Sequence, residues 1–307
     1  MNSLLLFKEL LVILNMKDSR YSIKDLENLT KIKAHTIRIW EQRYGILNPQ
    51  RTPTNIRYYV DSDLRKILNV NLLYTNGYKI SKIAQLREEE IVQEVKNLLG
   101  NDSGRFSDII NDVVKSIMKL DEKRIRQTLT ENLEEHNMFV LYNEIIQPIL
   151  KRIGELWQLN TLSIGHEHFF SAILRNFIIE ETEKLSIRSN GKTLLLFLHA
   201  EEEHEITLLL YNYLFKKNGY KTYYLGQNMP MSDLYVIFEQ LDPDLIITNF
   251  IMYISEDTFK EVCEDLMHKL DKKQVVFSGG QAVQYKKLIP EGITLIESQK
   301  DLENYFV

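Results

Sequence analysis

Beyond residue 193 the chain changes period, and that change leaves few folds open to it. Four short apolar runs, at 193–198, 221–225, 245–248 and 275–277, alternate with amphipathic stretches of helical spacing at about 206–217, 231–241 and 257–270. Strand–helix alternation of this period predicts a parallel, doubly wound sheet. Ligands of such sheets sit beyond the carboxyl ends of the strands. The loops expected there are 198–205, 226–230, 248–253 and 278–282. No glycine-rich fingerprint follows the first strand, so nothing supports a nicotinamide or flavin.

Residues 106–185 show no strand signature, and apolar residues recur every three or four positions. Ile109, Val113 and Ile117 mark one helix, and Ile125, Leu129 and Leu133 a second. A third runs from Phe139 through Ile153, and a fourth carries Phe169, Ile173 and Phe177. Short connections predict an antiparallel four-helix bundle. The third helix is expected to end near Trp157 and the fourth to open with His166-Glu167-His168, which gathers these residues at one mouth of the bundle. On their own they carry little weight. A helical Trp is usually core, and a Glu-His pair at a helix start is usually solvated or capping.

The net charge of −5 conceals a division. Residues 17–87 carry about +8, residues 1–16 cancel, and the rest carry about −13. A basic module joined to an acidic body predicts that the first meets a polyanion and the second does not. Ser22 with Asp25 forms a capping-box pattern ahead of Ile23, Leu26 and Leu29. A break at 31–33 leads to a second helix over 34–44, which Gly45 can close. The pair reads as a helix-turn-helix whose second helix offers Thr36, Arg38, Arg43 and Tyr44 to phosphates and base edges. Residues 51–59 read as a wing that places Arg57 and Tyr58 beside a phosphate track, with Trp40 and Tyr59 in the core. Asp61 or Ser62 is expected to cap the next helix, Gly77 to stop it, and Ser81 to start another.

These residues carry a family resemblance. Ile39-Trp40-Glu41-Gln42-Arg43-Tyr44-Gly45, followed by Arg51-Thr52-Pro53, resembles the winged-helix domain of MerR-type regulators, in the branch that carries a cobalamin-binding sensor (the CarH/LitR group). Thr54-Asn55 replaces that family's paired wing glycines, and Asn tolerates a left-handed turn. Trp157, nine intervening residues and then Glu167-His168 resembles the bundle of those regulators, where such residues cover the upper face of the corrin beside the adenosyl group. Glu202-x-His204-x-x-Thr207, then 40 residues to Thr248-Asn249-Phe250 and 28 more to Gly279-Gly280, resembles the cobalamin-binding module of methionine synthase and its relatives.

The second resemblance implies that His204 is the lower axial ligand of cobalt, with Glu202 fixing its ring. It also implies that Thr248 belongs to the binding slot and that Gly279-Gly280 leaves room for the nucleotide tail. Glu202 replaces an Asp, as the regulator branch also shows. Thr207 and Phe250 replace a glycine and a leucine-like residue, and both add bulk where the tail would enter.

The expected architecture is α+β and multidomain. An extension (1–16) precedes a winged helix-turn-helix domain (17–90), a linker (91–104), a four-helix bundle (105–188) and a Rossmann-like α/β cobalamin-binding domain (189–307). The resemblance implies a one-component transcription regulator, not an enzyme. Its partners would be double-stranded operator DNA, adenosylcobalamin and further copies of itself, as a dimer or tetramer. In that group the dark, cofactor-bound form assembles on DNA, and light breaks the cobalt–carbon bond and releases it. One alternative keeps DNA binding but has a degenerate sensor that oligomerises without cobalamin and answers a protein partner. Another, a corrinoid carrier for methyl transfer, is opposed by the basic module. The single cysteine, Cys263, excludes a disulfide framework and cysteine-built metal sites. The apolar start is broken by Lys8 and Glu9 and reads as neither secretory signal nor membrane span, so the expected location is the cytoplasm.

Overall fold

The structure is a computed structural model that describes residues 20–99, 104–186, 188–200, 202–252, 254–270 and 274–306. The expected extension at 1–16, most of the Asn101–Gly104 turn, Glu201 and Tyr253 lie outside the described residues. The chain divides into two compact units, one ending at Phe169 and the other beginning at Phe170.

In the first unit, α1 (Ile23–Thr30) opens with a complete capping box between Ser22 and Asp25, as expected. Lys31 turns the chain in the left-handed conformation, and α2 (Ala34–Tyr44) closes on Gly45 at φ 63°. Two-residue strands β1 (Gln50–Arg51) and β2 (Arg57–Tyr58) pair antiparallel and form the wing. Asn55 takes φ 67° at its tip and accepts from Arg51 through both its backbone and side-chain oxygens. The following helix, α3 (Asp61–Thr75), corrects one expectation. Neither Asp61 nor Ser62 caps it; Val60 is the N-cap, and the Asp63 carboxylate accepts from the Val60 amide while Asp61 accepts from the Tyr21 hydroxyl. A short turn, α4 (Ile80–Ile83), leads to α5 (Glu88–Leu99), which packs on α3 through buried Ile91 and Val95. The expected linker at 91–104 is therefore helix as far as Leu99.

The helical region follows. Helices α6 (Ser107–Met118) and α7 (Glu122–Glu135) pack together. The third, α8, starts at Met138–Val140, passes through a π turn at Leu141–Ile146 and continues over Gln147–Gln158. The π turn lies just ahead of Pro148, whose missing N–H cannot complete a regular ladder there. Helix α9 (Ile164–Glu183) begins at the end of the first unit and runs into the second. Among the described residues, no helix is long and apolar enough to cross a membrane.

The second unit holds a five-stranded, all-parallel sheet of order β4-β3-β5-β6-β7. Its strands are β3 (Thr193–His199), β4 (Lys221–Met229), β5 (Leu245–Asn249), β6 (Gln274–Ser278) and β7 (Ile293–Leu295). Helices α10 (Ile206–Lys217), α11 (Met231–Leu241) and α12 (Glu256–Lys269) connect the first four as the pattern predicts. Strands β3, β5 and β6 are apolar on both faces because helices cover both faces of such a sheet.

After β6 the chain presses on the loop that leaves β5. Gly279 takes φ 97°, and a Cβ there would lie 2.3 Å from the Phe250 carbonyl oxygen. The absent side chain thus serves a close approach of two backbones, whereas the sequence suggested room for a nucleotide tail. Gly279→Ala is expected to destabilise this unit by at least about 2 kcal/mol, from backbone strain plus displacement of Phe250. Urea unfolding followed by circular dichroism measures it.

Candidate cobalamin site and DNA-binding face

The strand order reverses direction between β3 and β5, so the loops that follow them diverge and open a crevice at the strand ends. The first of these loops carries Glu202 and His204, both buried. Glu202 Oε1 lies 2.7 Å from His204 Nδ1 and accepts the His204 amide at 3.0 Å. Its second oxygen accepts the amides of Ile251 and Met252, each at 2.7 Å, from the loop after β5. Burial alone would push this carboxyl up. The His204 hydrogen bond and charge, with the Met252 and His204 amides, outweigh it and hold Glu202 at about 2.

With Nδ1 held by Glu202, the ring would meet a metal through Nε2. At the ends of β5 and β6, Thr248 Oγ1, Asn249 Nδ2 and, beyond β6, Gln281 Oε1 are buried and find no hydrogen-bond partner among the described residues. A carboxylate-fixed imidazole beside unsatisfied amide and hydroxyl atoms fits a corrinoid's axial nitrogen and amide-rich rim. Phe250 fits less well. It is fully buried, stacks on His199 at 4.7 Å between ring centres, and packs against Phe259 and Phe277. Thr207 sits in the first turn of α10.

The next residue, Glu205, anchors the same loop elsewhere. It accepts from Arg175 Nε of α9 at 2.6 Å and from the Tyr224 hydroxyl of β4 at 2.9 Å. The sequence alone did not single out Glu205. Nothing local distinguishes it, because both partners are distant in sequence.

In the first unit, Glu167 is buried on the first turns of α9, and His168 Nδ1 lies 2.6 Å from its Oε2. His166 Nδ1 instead faces Ser163, 2.8 Å from its hydroxyl, at the helix start. Trp157 departs from expectation. It is 1% exposed and belongs to the winged-helix core with Leu26, Ile67 and Leu68, so the structure does not open it to a mouth of the helical region.

The candidate DNA-binding face is assembled by α2 and the wing. Ile37 and Trp40 turn α2 inward, which leaves Arg38 and Arg43 exposed. The Arg43 guanidinium lies 5.5 Å from the Tyr44 ring centre. Thr36, half-buried, approaches His35 at 3.3 Å. Arg57 and Tyr58 are half-buried on β2; the Tyr58 hydroxyl donates to Gln50, and Arg20 lies over its ring. Tyr59 and Trp40 are core, as expected, and the Tyr59 hydroxyl donates to Glu41. Sequence reasoning missed His35, Ile39 and Gln42, which are exposed on the same face as Arg38. The helical period opposite Ile37 and Trp40 was the signal for them.

Residues 21–90 match the MerR HTH family regulatory protein model, and residues 109–179 match a B12 binding domain. The HTH-type transcriptional repressor CarH of Myxococcus xanthus is 26% identical over 291 residues, 91% of this chain and 95% of that protein. CarA of the same organism is 23% identical over 283 residues, 91% of this chain and 94% of that repressor. The chain is homologous to the CarH and CarA repressors. It joins a DNA-binding MerR-type module to a B12-binding domain. The monomethylamine corrinoid protein of Methanosarcina barkeri shares the fold, with a TM-score of 0.52 at 13% identity over 66% of this chain and 98% of that one. The MerR match contains Thr36, Arg38, Arg43, Tyr44, Arg57 and Tyr58, and the B12 match contains Trp157, Glu167 and His168.

Glu202→Gln removes the charge that four donors converge on, and it is expected to cost about 2–3 kcal/mol of stability. Because the folded-state value lies below the ordinary 4.5, the stabilisation is complete above pH 4.5 and drains as pH falls toward 2. The stability difference between the two proteins, read from denaturant titrations between pH 7 and pH 3, should therefore narrow toward the acid end.

Proposed function

We propose that this chain is a cytoplasmic one-component transcription regulator whose B12-binding region takes adenosylcobalamin and thereby controls self-assembly on operator DNA. The observation that carries the reading is the buried Glu202–His204 pair at the strand-order reversal, tied to the loop after β5. His204 would offer Nε2 as lower axial donor, and Glu202 would hold the ring and raise its basicity. Thr248 would add a buried hydroxyl at the strand ends, where Gly279 lets the β6 loop close on the loop after β5. Adenosylcobalamin, when bound, supplies a cobalt–carbon bond that light cleaves. Assembly as a dimer or tetramer responds to the ligand only to the extent that the assembling form binds it better. The homologous CarH and CarA proteins are repressors, which supports a regulator over an enzyme.

A second reading, a sensor that assembles without cobalamin and answers a protein partner, draws on Phe250. Its ring, enclosed by His199, Phe259 and Phe277, occupies space beside the pair that a nucleotide tail would need. Purification with adenosylcobalamin in the dark separates the two: visible absorbance at one cofactor per chain supports the first reading, and its absence supports the second.

Two outcomes are expected. His204→Ala should change the visible spectrum of any bound cobalamin and weaken dark assembly, since ligand binding and assembly are linked. An unchanged spectrum with cofactor bound removes His204 as ligand. Arg38→Ala or Arg43→Ala should weaken operator binding, flatten its salt dependence by roughly one unit per lost phosphate contact, and leave assembly intact. Operator titrations across a salt series with sedimentation analysis read all three.

A further inference from the structure

The end of α8 does not belong to the helical region alone. Trp157, 1% exposed, and Leu159 complete the core of the winged-helix domain. Arg65 of α3 lies over the indole at 5.4 Å, and one turn along the same helix Asn69 receives the Gln158 side-chain amide at 2.8 Å. Asn69 Nδ2 also reaches the Gln158 carbonyl at 3.4 Å. Both members of this amide pair are buried. A buried amide without its mate carries the cost of lost hydration, so the pair favours one docking position of α8 on α3 over its neighbours.

We propose that Trp157-Gln158 is a strap that fastens the winged helix, and that ligand binding and the winged helix compete for Trp157. The competition rests on the reading that Trp157 faces a bound corrinoid, as the family resemblance implies. Trp157, 1% exposed and packed in the winged-helix core under Arg65, offers no surface to a ligand in this arrangement. Any conformation that offers Trp157 to the adenosyl group therefore breaks the contact with Arg65 and parts Gln158 from Asn69. The DNA-binding domain is then released from its fixed position against α8. Ligand binding is thereby coupled to the winged helix without any contact between ligand and DNA-binding residues.

Amide hydrogen exchange in the full chain tests the strap, read on residues 61–75. Without ligand, Trp157→Ala should speed exchange there by roughly tenfold or more, and Asn69→Ala by several-fold, while 122–135 keeps its protection. Unchanged protection of 61–75 in both variants overturns the strap. With adenosylcobalamin in the dark, the parent should lose protection over 61–75, and Asn69→Ala should bind the cofactor several-fold more tightly, because a weaker contact has to open. Cofactor bound at one per chain, with 61–75 as protected as before and Asn69→Ala no tighter, overturns the competition while the cofactor reading stands. No cobalamin absorbance in the parent overturns the cofactor reading and the competition together, and the ligand-free arm still decides the strap.

Discussion

The ligand end of the sheet depends on one buried carboxylate. Glu202 is shielded from water, yet it accepts from His204 twice and from two consecutive amides of another loop. A buried charge with fewer partners would cost several kcal/mol, so both loops are held where those donors converge. The loops after β3 and β5 would otherwise diverge, because the strand order reverses between them. Glu202 ties them across the crevice and sets the His204 ring in the same act.

That fixed ring is anchored outward as well. Glu205, one residue on, joins Arg175 of α9 and Tyr224 of β4. The Arg175 contact is short and charge-assisted, which restricts its geometry more than a neutral contact would. Phe250, on the loop after β5, is packed with His199, Phe259 and Phe277 and belongs to the core of the sheet.

At the other end of the chain, the winged helix is not a self-sufficient module. Its core includes a tryptophan contributed by α8, and its longest helix carries a buried Asn whose mate is Gln158. A basic DNA-binding face is thereby built on a core shared with the B12-binding segment.

What the sequence determined by itself was whatever rests on short-range period and spacing. Helices 206–217 and 231–241, the capping box at Ser22, the left-handed Asn55 and the four strands β3 to β6 follow from local patterns that burial on a sheet or in a helix pair then reinforces. The Glu202–His204 pair was legible for the same reason, since two residues in one loop meet whatever the rest of the chain does. The edge strand β7 was not, because three residues at a sheet edge have no pattern of their own. The winged-helix surroundings of Trp157 were not legible, because helical spacing reveals that a side chain is buried but not which neighbour buries it. Only tertiary structure decided that its partner is α3, that Gly279 is pressed against Phe250, and that Glu205 joins Arg175 and Tyr224. Each of those contacts spans many residues of chain, and its energy depends on packing that no local pattern encodes.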